Sequence, residues 1–272
     1  MPELPEVETT RRGIAPALLD RRVVAVTVRD RRLRWPIPRG LETKIQGQTV
    51  RRVERRAKYI LLGFDAGTVI LHLGMSGSLR VLANDVPPLL HDHWDMRMDG
   101  GALLRFHDPR RFGSLLWTAG DPEAHPLLAR LAPEPLSAAF DADYLFAKTR
   151  KRVVAIKQLI MNSQIVVGVG NIYASEALFR AHLSPRRAAG RLTRAQAAAL
   201  VESIRAVLSE AIQIGGTTLR DYVNADGVPG YFSQQLFVYE RAGEACRRCG
   251  APIKQFAQGQ RSTYWCPNCQ RG

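Results

Sequence analysis

The body of this chain has no cysteine to crosslink it: all four lie between positions 246 and 269. It also lacks any run of about 20 apolar residues, the length needed to cross a bilayer. Its amino terminus sets prolines and glutamates where a secretory leader needs a basic and then an apolar stretch. These absences predict a cytosolic protein with no membrane partner. Negative charge is the scarce sign, with 25 Asp plus Glu against 39 Lys plus Arg and a net charge of +14. Such an excess predicts a polyanionic partner, nucleic acid fitting better than an anionic membrane surface. At 272 residues with 46% hydrophobic composition, the chain suits one large or two modest domains, and its composition predicts a folded protein with a sizeable core.

The first eight residues, Met1 to Glu8, organise the rest. Removal of Met1 would leave Pro2 as a secondary amine beside the carboxylate of Glu3. Such an amine titrates well below a lysine ammonium and can attack an electrophilic carbon to give an iminium ion, with Glu3 moving protons. A structural reading competes: Pro2 and Pro5 rigidify a helix entry, with acidic residues complementing the helix dipole. A helix is predicted over 5–19, with Val7, Ile14 and Leu18 on one face and Gly13 and Pro16 weakening its later turns. From position 22 the period changes to two. Alternating runs at 49–54, 59–64, 68–73, 78–82, 94–98, 102–106 and 114–117 predict a β-sandwich or barrel, placed at 1–132.

Within that domain, four arginines and a lysine occupy Arg51 to Tyr59. A charged run of this kind is ordinarily a solvated edge, but Lys58 abuts the apolar run Tyr59 to Leu62, where it would serve as proton donor or phosphate ligand. His72-Leu73-Gly74-Met75-Ser76-Gly77-Ser78 is a strand broken by glycines around a Met that is either core or held out by the turn. Phe106-His107-Asp108-Pro109-Arg110-Arg111-Phe112-Gly113 is a Pro-led turn that could set a guanidinium and an aromatic wedge against bases, or pack its Phe inward. His91-Asp92-His93 lacks a third metal ligand, so His91 reads better as a phosphate contact.

A linker is predicted over 133–150, followed by helical periodicity to about 214. Helices at 151–162, with Val153, Ile156 and Ile160 behind Lys151-Arg152, and at 172–182 flank the turn Val167-Gly168-Val169-Gly170-Asn171. The turn lacks the Gly-Lys-Ser/Thr of a nucleotide P-loop. Its amides suit a DNA phosphate instead, with Asn171 as helix cap and ligand. Thr193 and Gln196 form a capping box for a long helix over 194–214, stopped by Gly215-Gly216. The aromatic and Gly-rich stretch from Thr217 to Phe232 is long enough to be a functional lid. Finally, Cys246-Arg247-Arg248-Cys249 and Cys266-Pro267-Asn268-Cys269 enclose 16 residues. Two such knuckles supply four thiolates to one tetrahedral, structural zinc, and the hairpin between them would hold Arg261 at its tip.

Taken in order, these motifs closely resemble bacterial formamidopyrimidine-DNA glycosylases, the family that repairs oxidised purines. The resemblance covers nearly the whole chain: the start Pro2 to Glu8, Arg56 to Tyr59, His72 to Gly77, Asp108 to Gly113, Val167 to Glu176, Gly215 to Thr218 and the zinc hairpin. It implies an α+β multidomain fold. An N-terminal β-sandwich with its helix (1–132) would be followed by a helix–two-turns–helix domain with a lesion-capping loop (151–232) and a zinc β-hairpin (237–271). It further implies a monomer acting on damaged double-stranded DNA bent between domains, with the damaged nucleotide flipped out of the stack. The resemblance assigns Pro2 as the nucleophile at C1′, forming a Schiff base, and Glu3 as general acid and base. Lys58 and Arg261 would be proton donors for β- and δ-elimination, although an arginine that stays protonated suits phosphate positioning better. Met75 would fill the gap, Phe112 wedge the adjacent step and Arg110 pair with the orphaned base. His91, Arg110, Arg152 and Asn171 would hold the DNA. Relatives often carry Lys at the position of Arg152. An endonuclease VIII-type glycosylase for oxidised pyrimidines and a non-catalytic zinc-ribbon DNA-binding protein are the alternatives. The Leu4 to Glu8 continuation and the Arg110 to Phe112 turn favour the purine enzyme.

Overall fold

The computed structural model describes residues 2–83, 86–216 and 235–271. The stretch from Thr217 to Phe232, expected to cover the lesion, lies outside the described residues. The chain divides into two compact units, Met1–Ala129 with Ile214–Tyr231, and Arg130–Gln213 with Phe232–Gly272.

The first unit opens on helix α1, Leu4–Leu18, with Glu3 as its N-cap and Pro5 in its first turn. Proline fits there because the first-turn amides have no intrahelical acceptor to lose. Glu3 and Glu6 close a reciprocal capping box, the Glu3 amide donating to Glu6 Oε2 at 2.8 Å. Val7, Ile14 and Leu18 are buried as the periodicity predicts. They join one hydrophobic core with inward residues of two antiparallel four-stranded sheets. One sheet runs β1 (Val23–Val28), β6 (Asp92–Met98), β7 (Leu103–His107), β5 (Ser78–Leu82). The other runs β2 (Arg52–Arg56), β3 (Tyr59–Phe64), β4 (Gly67–His72), β8 (Ser114–Thr118). This arrangement is the sandwich rather than the barrel. A short helix α2, Leu41–Ile45, closes the loop after β1.

The second unit is helical. Residues 133–150, expected as linker, include helix α3, Ala142–Thr149, capped by Asp141 and burying Leu145 and Thr149. The helix expected from 151 begins only at Ile156 and ends at Ile160 as α4. Lys151 takes a left-handed φ of +59°, and Ala155 is held extended by a bridge to Ala188. Val153, assigned by periodicity to the buried face, is consequently 94% exposed. Helix α5 runs Asn171–Arg180 and α6 Arg194–Ile214. The expected capping box of α6 is present: the Gln196 amide donates to Thr193 Oγ1 at 3.2 Å and the Thr193 amide to Gln196 Oε1 at 3.1 Å. Strands β9 (Lys254–Gln258) and β10 (Arg261–Trp265) form the hairpin.

Candidate active site and nucleic-acid interface

In the first unit the amino terminus is packed in, not frayed. Pro2 is buried, and Glu3 and Glu6 are 2% and 0% exposed. Gly216, past the end of α6 in the same unit, comes so close that a Cβ there would sit 3.0 Å from Glu6 Oε1. Helix α1 is locked to the β2–β3 turn by Glu8, which receives Arg11 Nη2 at 2.8 Å, Arg12 Nε at 2.8 Å and Arg55 Nε at 3.1 Å. Burial alone would raise the Glu8 pKa, but the hydrogen bonds from Arg11 and Arg12 and the charges of Arg11 and Arg55 outweigh it, so it is lowered. Arg55 in turn donates to the carbonyl of Ala57 at 2.9 Å, the residue before Lys58.

The arginine run 51–56 is therefore engaged structurally. Arg51 pairs with Asp65, Arg52 with Glu54, Arg55 with Glu8 and Arg56 with Glu123. Lys58 lies at the turn, half-buried, close enough to bear electrostatically on His72. Burial pushes His72 down to about 4, with the positive charges of Lys58 and Arg34 adding to it. Its ring is accordingly neutral, and Nδ1 accepts the Gly74 amide at 2.9 Å.

Met75 and Phe112, each open to a buried or an outward reading from sequence, both point outward at 37% and 42% exposure. Of the two arginines in the Asp108 to Gly113 turn, Arg111 is held by Asp30 at 2.8 Å. Arg110 is exposed, its guanidinium 5.0 Å from the centre of the Phe112 ring. His91 is half-buried at the head of β6, its ring edge-on to His107 at 5.9 Å. Its neighbours Asp92 and His93 are engaged elsewhere, Asp92 with His107 Nδ1 at 2.8 Å and His93 Nε2 with the Asp108 carbonyl at 2.8 Å.

In the second unit, the N-cap of α5 is Gly170, and its cap position makes no side-chain hydrogen bond. Asn171 is thus not the cap expected from sequence. Its side chain is turned to the hairpin: Oδ1 accepts from Lys157 Nζ at 2.6 Å, and Nδ2 donates to the Ser262 carbonyl at 2.9 Å. Lys157, 1% exposed, also donates to Thr263 Oγ1 at 2.7 Å. These bonds seat β10, whose first residue Arg261 is exposed beyond the two-residue turn Gly259-Gln260. Both turn residues have positive φ, +57° and +60°, as a type I′ hairpin requires. Arg152 is exposed, with its backbone carbonyl accepting the Gly190 amide at 2.8 Å. Sequence reasoning missed Lys157, although a lysine amid Ile156, Leu159 and Ile160 on a buried helix was a readable anomaly. It also missed Glu176, fully buried, which accepts the amides of Phe237, Val238 and Tyr239 at 2.9 Å each. Burial raises its pKa against the pull of those amides.

The four cysteines are free, and their sulfurs lie within 4.8 Å of one another, the only such metal-ligating group of His, Cys, Asp and Glu among the described residues. The Ala251 amide and the Asn268 side chain bring the Cys249 thiol down to about 6, whereas burial and the neighbouring sulfurs push Cys269 up to about 12. Four thiolates this close repel unless a cation gathers their charge, so the donor set fits one zinc closed to substrate. Cys246 and Cys266 also share a small core with Phe179, Val238 and Ile253.

The comparisons agree with this geometry. The Formamidopyrimidine-DNA glycosylase N-terminal domain family matches residues 1–115, the H2TH domain of the same enzymes 131–223, and the zinc finger found in FPG and IleRS 243–272. The formamidopyrimidine-DNA glycosylase of Thioalkalivibrio sulfidiphilus is 64% identical over 271 residues, covering 100% of both chains. The crystal structure of the MutM (Fpg) protein from Thermus thermophilus superposes with a TM-score of 0.88 at 40% identity, over 99% of this chain and 98% of that one. A Lactococcus lactis Fpg mutant in complex with a Fapy-dG containing DNA gives 0.92 at 31% identity, over 100% of both chains. The purine enzyme is therefore favoured over the pyrimidine-directed and non-catalytic alternatives, and this chain belongs to the formamidopyrimidine-DNA glycosylase family.

Proposed function

We propose that this chain excises oxidised purines, 8-oxoguanine and formamidopyrimidines, from duplex DNA through a Schiff base on Pro2 and then cleaves the strand by β,δ-elimination. The observation that carries the mechanism is the packing of the amino terminus. Pro2 is buried and Glu3 is fixed as a helix cap. Through Glu8, Arg55 and Ala57 the same helix is tied to the turn that bears Lys58. A terminus held this firmly presents one nitrogen in one direction, which a nucleophile needs and a mere helix entry does not.

With Met1 removed, the Pro2 nitrogen attacks C1′ of the flipped nucleotide and gives up its proton. The glycosidic bond breaks with its electron pair going to the base, which is protonated as it leaves. Opening of the sugar ring with protonation of its oxygen leaves a cationic iminium (Schiff base) between Pro2 and C1′. Glu3, a carboxylate beside that nitrogen in sequence, moves the protons. Lys58 is the proton donor of the first elimination. Arg261 serves the second, chiefly by holding phosphate, since a guanidinium stays protonated. Met75 fills the space left in the stack, Phe112 wedges the neighbouring step and Arg110 faces the orphaned base, roles supported by the exposure of all three. His91, Arg110, Arg152 and Asn171 hold the backbone. For Asn171, one amide hydrogen is engaged with Ser262 and the second is the one available to a phosphate. Residues 1–132 form the catalytic domain, 151–232 the helix–two-turns–helix domain and 237–271 the zinc finger, which orients Arg261 and takes no chemical step. The protein acts as a monomer on damaged double-stranded DNA in the cytosol, as its net charge of +14 and its unpaired thiols favour.

Borohydride reduction in the presence of an 8-oxoguanine duplex tests the mechanism. A covalent protein–DNA adduct mapping to Pro2 is expected, with less adduct on an oxidised-pyrimidine duplex. Absence of an adduct, or one mapping to a lysine, would overturn it.

A further inference from the structure

Asp108 is fully buried and makes contacts that no composition or spacing announced. Its Oδ1 accepts the Ser76 hydroxyl at 2.9 Å, and its Oδ2 accepts the Gly113 amide at 2.8 Å. Its own amide donates to the His91 carbonyl at 3.0 Å, and its carbonyl takes His93 Nε2 at 2.8 Å. Ser76 Oγ accepts the Arg110 amide at 3.3 Å, so the same hydroxyl serves both turns. One residue thus touches the neighbours of Met75, of Phe112 and of Arg110, and the backbone of His91.

A second observation points the same way. Gly74 and the Phe112-Gly113 peptide meet backbone to backbone: a Cβ on Gly74 would lie 2.4 Å from the Gly113 nitrogen and 2.4 Å from the Phe112 carbonyl carbon. Gly74 also has a φ of +68°, a conformation that side chains disfavour. The turn carrying Met75 and the turn carrying Arg110 and Phe112 are therefore in direct contact and hydrogen-bonded through one carboxylate.

We propose that Asp108, acting through Ser76, is a positioning residue that locks Met75, Arg110, Phe112 and His91 into a single rigid edge, so that the gap-filling and wedging side chains enter the duplex together. This rests on the DNA roles proposed above for those side chains. It follows that the Asp108 carboxylate matters where a base stack must be opened and not where it is already absent. A wedge without its backing would fold back toward the protein, leaving the Pro2 chemistry intact.

The test measures two reactions for each variant: excision of 8-oxoguanine from a duplex, and strand cleavage at an abasic site in a single strand, which has no stack to open. D108A and S76A are expected to lose roughly 10–100-fold in duplex excision, the worth of hydrogen bonds to a charged acceptor, and to stay within about threefold of the parent on the single strand. D108N, which keeps an acceptor for the Gly113 amide, should fall between D108A and the parent, and S76T should restore activity to S76A. Adding M75A to D108A should cost less than M75A alone, because the side chain has already lost its footing. Parental excision in both S76A and D108N, or an equal loss in the two reactions, would overturn the brace while leaving the wedge roles standing. If M75A and F112A themselves excise like the parent, the wedge reading fails and the brace falls with it.

Discussion

Lys157 Nζ and Asn171 Oδ1 lie 2.6 Å apart, 14 residues distant in sequence, and the same ammonium reaches Thr263 Oγ1 at 2.7 Å. A lysine buried to 1% exposure is tolerable only because each of its hydrogens has an acceptor. Lys157→Ala would strand the oxygens of Asn171 and Thr263 without a donor. We expect a loss of about 3 kcal/mol, read as a lower unfolding temperature, and a hairpin whose Arg261 no longer has a fixed origin. Lys157→Arg should not rescue it, since a planar guanidinium does not fit the place of a compact ammonium.

Glu3→Gln keeps the shape of the helix cap and removes the titrating oxygen. Excision should fall by about 10²–10⁴-fold, the range for a lost general acid or base, while affinity for abasic-site DNA stays within about threefold. Single-turnover kinetics and a filter-binding titration separate the two. A parallel loss of both would reassign Glu3 to folding.

His72 couples stability to acid. Its folded pKa of about 4 lies below the ordinary 6.5, so between those values the unfolded chain binds the extra proton. Stability from this group is complete above pH 6.5 and drains away as the pH falls towards 4. The interval allows up to about 3 kcal/mol, an upper figure because the ring is only partly enclosed. His72→Gln should flatten the slope of unfolding temperature against pH in that window. The raised Glu176 carboxyl acts with the opposite sign and is present in both proteins, so the difference between them isolates the histidine.

Zinc removal should affect the second unit selectively. Two of the four cysteines, Cys246 and Cys266, belong to the small core of Phe179, Val238 and Ile253. Cys249→Ser should lower bound zinc from one per chain to well under half, and DNA affinity by at least about tenfold as the hairpin loses the metal that holds it folded. Near-ultraviolet circular dichroism should show the sandwich tryptophans unmoved. Full zinc occupancy in the variant would mean that Cys249 is not a ligand.

Features written in local spacing were legible from the sequence alone. The cysteine knuckles, the Thr193–Gln196 capping box, the buried stripe of α1 and the two-residue period of the strands all depend on neighbours within a few positions. Backbone geometry fixes what such neighbours can reach. The same locality misled at 151–155, where a helical period is overridden by a bridge between Ala155 and Ala188, 33 residues on.

What the sequence determined by itself was the inventory: a potential amine at Pro2, a carboxylate at Glu3, four thiols, an excess of positive charge and the sandwich-then-helix order of elements. The tertiary structure decided which of the like residues are available and which are engaged. Arg111 is taken by Asp30 from 81 positions away while Arg110 faces out, and Asp108 reaches Ser76 across 32 residues. Charges and hydrogen-bonding groups are satisfied by whatever the fold brings within about 3 Å, and chain distance places no limit on that partner.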